Sequence, residues 1–253
     1  MRNIPILMYH QVDAAPAKGS AMRGLVVTPE RFAWHMRTLA LLGYTGLSMR
    51  ELEPYWSGAK SGKVVGITFD DGYKNNVDIA LPILQRFGFS ATCYVVTQAM
   101  GQFNSWDAST GVPQKPLMTI DDGKKWLQAG QELGTHTCTH ADLSQLDEHA
   151  QVREIQEAKA QLDTLFGTGT ARHFCYPYGR FNAQSLHIAR SSGYITATTT
   201  ERGRALATDD AMRLPRVLVS RTTSSLMLAV KLLTRYEDKR RLKGKASTHA
   251  AGA

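Results

Sequence analysis

The stretch VVGITFDDG, residues 64–72, joins an apolar run to two adjacent acids and a glycine. A short apolar run that stops at turn-forming residues predicts a buried β-strand, here Val64 to Phe69. Adjacent acids at the end of a strand point in different directions, so one of Asp70 and Asp71 can bind a cation while the other faces a substrate. Asp and Gly are also common in plain turns. The local sequence leaves both interpretations open.

Strand-like and helix-like segments alternate outward from this stretch. Thr28 and Pro29 are typical of an N-cap and a first helical residue, and Gly43 is typical of a helix end. Such alternation favours a mainly parallel sheet, open or closed, with its chemistry at the carboxyl ends of the strands. Further predicted strands are 6–10, 91–96, 132–135, 173–176, 195–199 and 216–219, and further helices are 77–87, 120–129, 147–166, 183–191 and 224–241.

The composition is that of an ordinary globular enzyme, with 43% hydrophobic and 21% charged residues in a chain of 253. No linker or internal repeat divides it. We predict one catalytic domain over 1–222, a basic carboxyl-terminal helix of the same domain over 223–241, and a disordered tail over 242–253.

The net charge of +8 is concentrated near the carboxyl terminus, where six basic and two acidic residues lie between Arg235 and Lys245. The rest of the chain is only mildly basic, so we predict no nucleic-acid partner. A basic helix with an apolar side could rest on an anionic membrane. It could equally be a solvated helix packed on the domain.

The expected compartment is the cytoplasm, with the possibility of peripheral attachment at the inner face of the membrane. Three cysteines form no regular framework, no apolar run reaches the roughly 18 residues that span a bilayer, and the amino terminus lacks a secretory apolar run.

His136 and His140 have the i, i+4 spacing that places two imidazoles on one side of a helical turn, where they can share a metal. The alternative is one exposed and one core histidine. Two histidines and one carboxylate, such as Asp71, leave an open position on Zn²⁺. We therefore predict a divalent ion, Zn²⁺ first, with Co²⁺, Ni²⁺ or Fe²⁺ as alternatives.

Three motifs, TFDDG at 68–72, HTCTH at 136–140 and YPYG at 176–179, occur in the order and approximate spacing of the polysaccharide deacetylases, carbohydrate esterase family 4. The chain resembles that family over about residues 4–220. The resemblance implies an α/β fold, a distorted (β/α) barrel with about seven mainly parallel strands, and a metal-dependent hydrolase.

The resemblance also implies a role for each motif residue. Asp71, His136 and His140 would hold the divalent ion, and Asp70 would be the general base toward the attacking water. The backbone N–H of Tyr178 would hold the oxyanion.

The chain departs from the family pattern at Cys175, where the family usually has an arginine that orients the base. A different cation is expected to hold Asp70. Arg216 is our first candidate and Arg213 the second, although Arg216 could be a surface charge at a strand end.

A second departure concerns the general acid, which in most family members is a histidine in a Leu-x-x-His strand near the carboxyl terminus. Here that form occurs at the amino terminus, as Leu7-Met8-Tyr9-His10. It resembles the subgroup that de-N-acetylates poly-β-1,6-N-acetylglucosamine and opens with an MYH-type strand. The first and last strands of a closed barrel are neighbours, so we predict that His10 is the general acid. A core histidine is the alternative.

The predicted function is removal of N-acetyl groups from N-acetylhexosamine units of a glycan or glycolipid, for example a lipopolysaccharide-core or lipid-linked sugar. An O-acetyl esterase and an inactive glycan-binding module are the alternatives. Candidate sugar-stacking residues, each of which could instead be packing, are Tyr9, Tyr73, Trp106 and Tyr178.

Overall fold

A closed barrel of seven parallel strands forms the centre of the computed structural model, which describes residues 3–241. This confirms the predicted fold class. The strands are β1 Ile6–Tyr9, β2 Gln11–Val12, β3 Val26–Val27, β4 Thr45–Leu47, β5 Val64–Phe69, β6 Thr92–Val95, β7 Glu132–Thr135, β8 His173–Cys175, β9 Thr196–Arg202 and β10 Leu214–Leu218. The helices are α1 Pro29–Leu41, α2 Met49–Trp56, α3 Leu81–Phe87, α4 Ile120–Gln128, α5 Glu148–Val152, α6 Ala158–Phe166, α7 Ala183–Ser191 and α8 Ser225–Leu233.

The amino-terminal strand closes the barrel. In β1, Leu7 is in register with Val217 of β10 on one side and with Ile67 of β5 on the other. β5 to β10 complete the ring in chain order, and β4 extends the sheet beside the first half of β5. Because every strand pair of the barrel is parallel, the residues that follow the strands share one edge.

Helix ends follow the local sequence signals where the side chains form caps. The Thr28 hydroxyl accepts a hydrogen bond from the Arg31 N–H at the start of α1, and Thr119 forms a capping box with Asp122 at the start of α4. The long helix predicted over 147–166 contains a π-helical segment, Arg153–Glu157, between α5 and α6. Sequence reasoning did not predict β4 and α2.

The continuous helix predicted over 223–241 is wrong. α8 ends at Leu233, Thr234 is extended, and residues 236–241 form a second helical segment. The Thr234 hydroxyl accepts from the Tyr236 N–H at 3.1 Å, which caps the second segment. Buried Glu237 holds that segment to the domain through Arg202 and Lys231. The tail predicted to be disordered, 242–253, lies outside the described residues.

Within residues 3–241, no helix combines the length and the apolar character needed to cross a bilayer.

Candidate active site

Six of the seven predicted site residues line one cavity of about 620 Å³ at the carboxyl ends of the barrel strands, and the seventh, Arg216, contacts Asp70 without lining the cavity. His10 follows β1, Asp70 follows β5, and His136 follows β7. Asp71, His140 and Tyr178 line the same cavity. Residues that are more than 120 positions apart in the sequence therefore lie side by side.

Asp71, His136 and His140 form a compact set of buried donors. The Nε2 atoms of His136 and His140 lie 3.5 and 3.3 Å from Oδ1 of Asp71. Nδ1 of His136 is 2.7 Å from the Cys175 carbonyl oxygen, so it carries the proton and leaves Nε2 free as a ligand. The three donor atoms lie within 4.8 Å of one another.

These three residues fit a divalent metal ion. Two imidazole nitrogens and one carboxylate oxygen match a catalytic zinc site with an open position. Asp70, His136 and Cys175 also cluster within 4.8 Å. However, Arg216 already contacts both Asp70 and Cys175, and its positive charge disfavours a second cation there. Asp71, His136 and His140 are therefore the candidate ligand set.

The histidine pair converges for a different reason than the one predicted. Residues 136–140 form a bent loop and not a helical turn. Thr137 and His140 adopt left-handed backbone conformations with φ of 65° and 64°, and the Thr137 hydroxyl accepts from the His140 N–H at 2.9 Å. The Glu154 carboxylate accepts from the N–H groups of Cys138 and Thr139, which fixes the loop from outside.

Backbone strain is concentrated in this site. In the described part of the chain, five non-glycine residues have positive φ, and four of them lie here: Asp71, Thr137, His140 and Tyr178. Each such residue costs about 1–2 kcal/mol relative to the right-handed region. Residues held in this way are typical of functional sites, where the surrounding structure enforces them.

Arg216 makes a bidentate ion pair with Asp70. Its two terminal nitrogens donate to the two Asp70 oxygens at 2.7 Å each, and both residues are almost fully buried, at 1% and 2% exposure. Burial by itself would raise the pKa of Asp70, but the charge and hydrogen bonds of Arg216 lower it below the usual value. Arg213, the second candidate, pairs with Glu201 near the surface.

Cys175 contacts the guanidinium of Arg216. Its sulfur lies 3.2 Å from Nη2 of Arg216. Thr68 accepts from Nη1 at 3.0 Å, and the Thr199 carbonyl accepts from Nε at 2.9 Å. Sequence reasoning missed Thr68. A hydroxyl in the middle of the apolar strand β5 was the available signal.

His10 lies in the cavity wall beside Asp70. Its Nε2 is 3.9 Å from Oδ2 of Asp70, and 15% of its side chain is exposed. Within residues 3–241, its Nδ1 has no hydrogen-bond partner. Asn76 donates to the His10 carbonyl at 2.9 Å and so fixes the backbone. This position differs from that of a histidine enclosed in the core.

Two of the four candidate stacking residues contact His140, one of the candidate metal ligands. Trp106 stacks on the ring with centroids 4.5 Å apart, and Tyr178 meets it edge-on at 4.6 Å. Tyr178 is 42% exposed, so it remains available to a ligand. For Tyr9 the packing alternative is the right one, because the residue is fully buried against α1. Tyr73 is also buried, although it borders the cavity.

Comparison with known proteins gives matches that span this site. The chain is 32% identical to the Bacillus subtilis (strain 168) protein YxkH over 219 residues, which are 86% of this chain and 71% of that protein. It is 24% identical to the poly-β-1,6-N-acetyl-D-glucosamine N-deacetylase of Staphylococcus epidermidis over 198 residues, 77% of this chain and 68% of that enzyme.

Among solved structures, the fold is similar to that of the Streptococcus pyogenes deacetylase PplD in complex with acetate. The TM-score is 0.79 at 29% identity, covering 91% of this chain and 98% of that one. The family model described as polysaccharide deacetylase matches residues 57–197. This range includes Asp70, Asp71, His136 and His140, whereas His10 and Arg216 lie outside it. The chain therefore belongs to the polysaccharide deacetylase family.

Proposed function

We propose that the protein is a metal-dependent carbohydrate N-deacetylase that removes acetyl groups from N-acetylhexosamine units. The observation that carries this proposal is the buried Arg216–Asp70 pair directly beside the Asp71, His136 and His140 donors. A carboxylate that is kept ionised next to a metal site is suited to accept a proton from water. The similarity to a poly-N-acetylglucosamine N-deacetylase supports the choice of substrate.

The first half of the reaction needs a base and an oxyanion site. A divalent ion bound by the three donors would supply Lewis acidity toward water and the acetyl carbonyl. Asp70, oriented by Arg216, accepts a proton as water adds to the acetyl carbon. The Tyr178 backbone N–H donates a hydrogen bond to the developing oxyanion.

The second half breaks the carbon–nitrogen bond. An amide nitrogen is a poor leaving group until it is protonated, and His10 is the proton donor that lies on the cavity wall. As the carbonyl re-forms, the proton goes to the departing nitrogen and the products are acetate and a free amino sugar. The proton that Asp70 took from water re-protonates His10, and the second proton of that water leaves the acetic acid for the solvent.

We further propose Zn²⁺ as the ion, with Co²⁺, Ni²⁺ or Fe²⁺ as alternatives, because the donor set combines imidazole with carboxylate. We propose a lipopolysaccharide-core or lipid-linked sugar as the substrate, met at the inner face of the membrane. Leu226 and Leu233 of α8 are 76% and 53% exposed, and Arg235 and Lys239 are exposed just beyond them. An apolar surface beside cations is suited to anionic lipid.

The test is release of acetate from N-acetylated glycans and lipid-linked sugars by the Zn²⁺-loaded protein, before and after chelation. Asp70→Asn should abolish turnover, whereas the exposed Asp121→Asn should leave it intact. A glycan-binding module would show no turnover in any sample. An O-acetyl esterase would release acetate from O-acetylated sugars but leave the amides unchanged.

A further inference from the structure

The cavity has two walls of different chemistry. On the metal side, Tyr178 and the ligand histidines offer aromatic faces and polar atoms. The segment between β2 and β3 lines another part of the cavity, and its lining side chains are mostly small or aliphatic: Ala14, Ala15, Pro16, Ala17, Ala21, Met22 and Leu25, with Ser20 as a polar member. Between Val12 and Phe32 the sequence contains no aromatic residue. This wall therefore offers no ring on which a sugar could stack.

Hydrogen bonds and an ion pair hold this wall in place. The Arg23 side chain donates to the Pro16 carbonyl at 2.9 Å across the segment. Lys115 pairs with Asp13 at 2.9 Å where the segment begins, and the Arg221 N–H donates to the Gly24 carbonyl at 2.8 Å near its end. Apolar surface that is held open to solvent in this way is preformed for a ligand.

Met22 is held in a conformation that its residue type disfavours. Its φ is 53°, in the left-handed region, and its side chain is 53% exposed. Asn or Gly would adopt this backbone more readily. A flexible thioether at such a position provides an adaptable apolar contact at the cavity mouth.

We propose, resting on the function proposed above, that this segment is a subsite for an aliphatic chain joined to the anomeric oxygen of the acetylated sugar. With the acetyl group directed to the metal side and Tyr178, the aliphatic wall offers the rest of the ligand an apolar surface. Hydroxyl-rich sugar units would lose water there and gain few hydrogen bonds, whereas a hydrocarbon chain would gain by leaving water. The substrate class is thus a glycolipid and not an unmodified polysaccharide.

The test is a homologous series of alkyl β-N-acetylglucosaminides, from methyl to octyl, assayed below their micelle-forming concentrations with the Zn²⁺-loaded protein. Each methylene that leaves water is expected to raise kcat/KM by roughly two- to fourfold until the wall is filled. Met22→Asn, which suits the left-handed backbone, and Ala17→Gln should each lower the octyl-to-methyl ratio several-fold. The matched control is Leu41→Gln, which changes a 77% exposed leucine of α1 outside the cavity and should keep the ratio.

Calorimetric binding of the corresponding alkyl glucosaminides, which carry no acetyl group, separates this proposal from the proposed function. Affinity that rises with chain length in the wild type, and less in the two wall variants, supports the subsite whether or not acetate is released. Turnover of the methyl glycoside with no dependence on chain length would overturn the subsite and keep the deacetylase. Absence of acetate from the whole series would instead count against the deacetylase.

Discussion

The buried pair of Arg216 and Asp70 makes a quantitative prediction about stability. Arg216→Met removes the guanidinium and leaves the Asp70 carboxylate without its cation, while Asp70→Asn leaves the guanidinium without its carboxylate. Both groups are almost fully buried, so solvent compensates poorly for the lost partner. Breaking a buried pair by removing one member costs about 3–5 kcal/mol.

The double variant should cost much less than the sum of the two single changes. It removes both charges together, so neither is left unpaired in the interior. We expect a coupling free energy of at least about 2 kcal/mol, because two short charge-assisted hydrogen bonds join the pair. The remaining contacts of Arg216, to Thr68 and Thr199, are lost in both Arg216 variants and cancel in the cycle.

The assay is urea unfolding of the wild type, the two single variants and the double variant, all treated with chelator so that metal binding does not contribute. The matched control is the same cycle on Arg213 and Glu201, an ion pair near the surface. Its coupling should be below about 1 kcal/mol. Additivity within about 0.5 kcal/mol at the Arg216–Asp70 pair would refute the reasoning, since no interaction energy would then join the two residues.

Three further predictions concern the acid, the metal and a buried histidine. His10→Gln should lower kcat for N-acetyl substrates about 10²–10³-fold. Turnover of an activated acetyl ester should fall less than tenfold, because its leaving group needs no proton. Equal losses on both substrates would contradict the role of His10 as general acid. Chelation should abolish acetate release and lower the unfolding temperature. Adding Zn²⁺ at about 1,000 times its Kd should raise the free energy of unfolding of the chelated protein by about 4 kcal/mol. Full activity in the chelated protein would exclude a metal requirement. Burial lowers the pKa of His35 to about 4. As pH falls, this histidine is therefore protonated in the unfolded chain before it is protonated in the folded protein, and the free energy of unfolding decreases from pH 6.5 toward pH 4. Between pH 7 and pH 5 this loss of unfolding free energy amounts to about 2 kcal/mol, and urea unfolding at both values should show a smaller pH dependence for His35→Gln. An unchanged dependence would show that the pKa of His35 is the same in the folded and unfolded protein.

The sequence predicted the barrel and most of its strands because each strand is a short apolar run that ends at a turn. It failed where a distant contact decides the backbone. Residues 136–140 have helical spacing, yet Glu154 and two left-handed residues make them a loop. Residues 224–241 have helical propensity throughout, yet Thr234 interrupts the helix, and buried Glu237 anchors the second segment.

Side-chain direction was predicted less well than strand position. The Leu-x-x-His pattern predicted that Tyr9 and His10 lie at a strand end. Because side chains alternate along β1, Tyr9 points outward to α1, where it contacts His35. The aliphatic wall between β2 and β3 gave no sequence signal, because alanine, proline and glycine there are typical of any loop. The segment becomes a candidate binding surface only because, in the structure, it lines the cavity.

The position of Arg216 beside Asp70 follows from the geometry of the barrel. Cys175 is the last residue of β8, and Arg216 lies in β10, with β9 between them. In a closed parallel barrel, inward side chains of alternate strands share a layer, so a guanidinium from either strand can reach the same aspartate. The register between β9 and β10 shifts between Leu214 and Arg216, and such an irregularity re-aims side chains.

The same argument applies to His10. β1 lies between β10 and β5, so a residue that follows β1 is a neighbour of the acid that follows β5, whatever the order of strands along the chain. A closed ring has no first strand, and the position of a functional group around it is set by pairing alone. This is why two residues outside the family match, one from near each end of the chain, meet at Asp70.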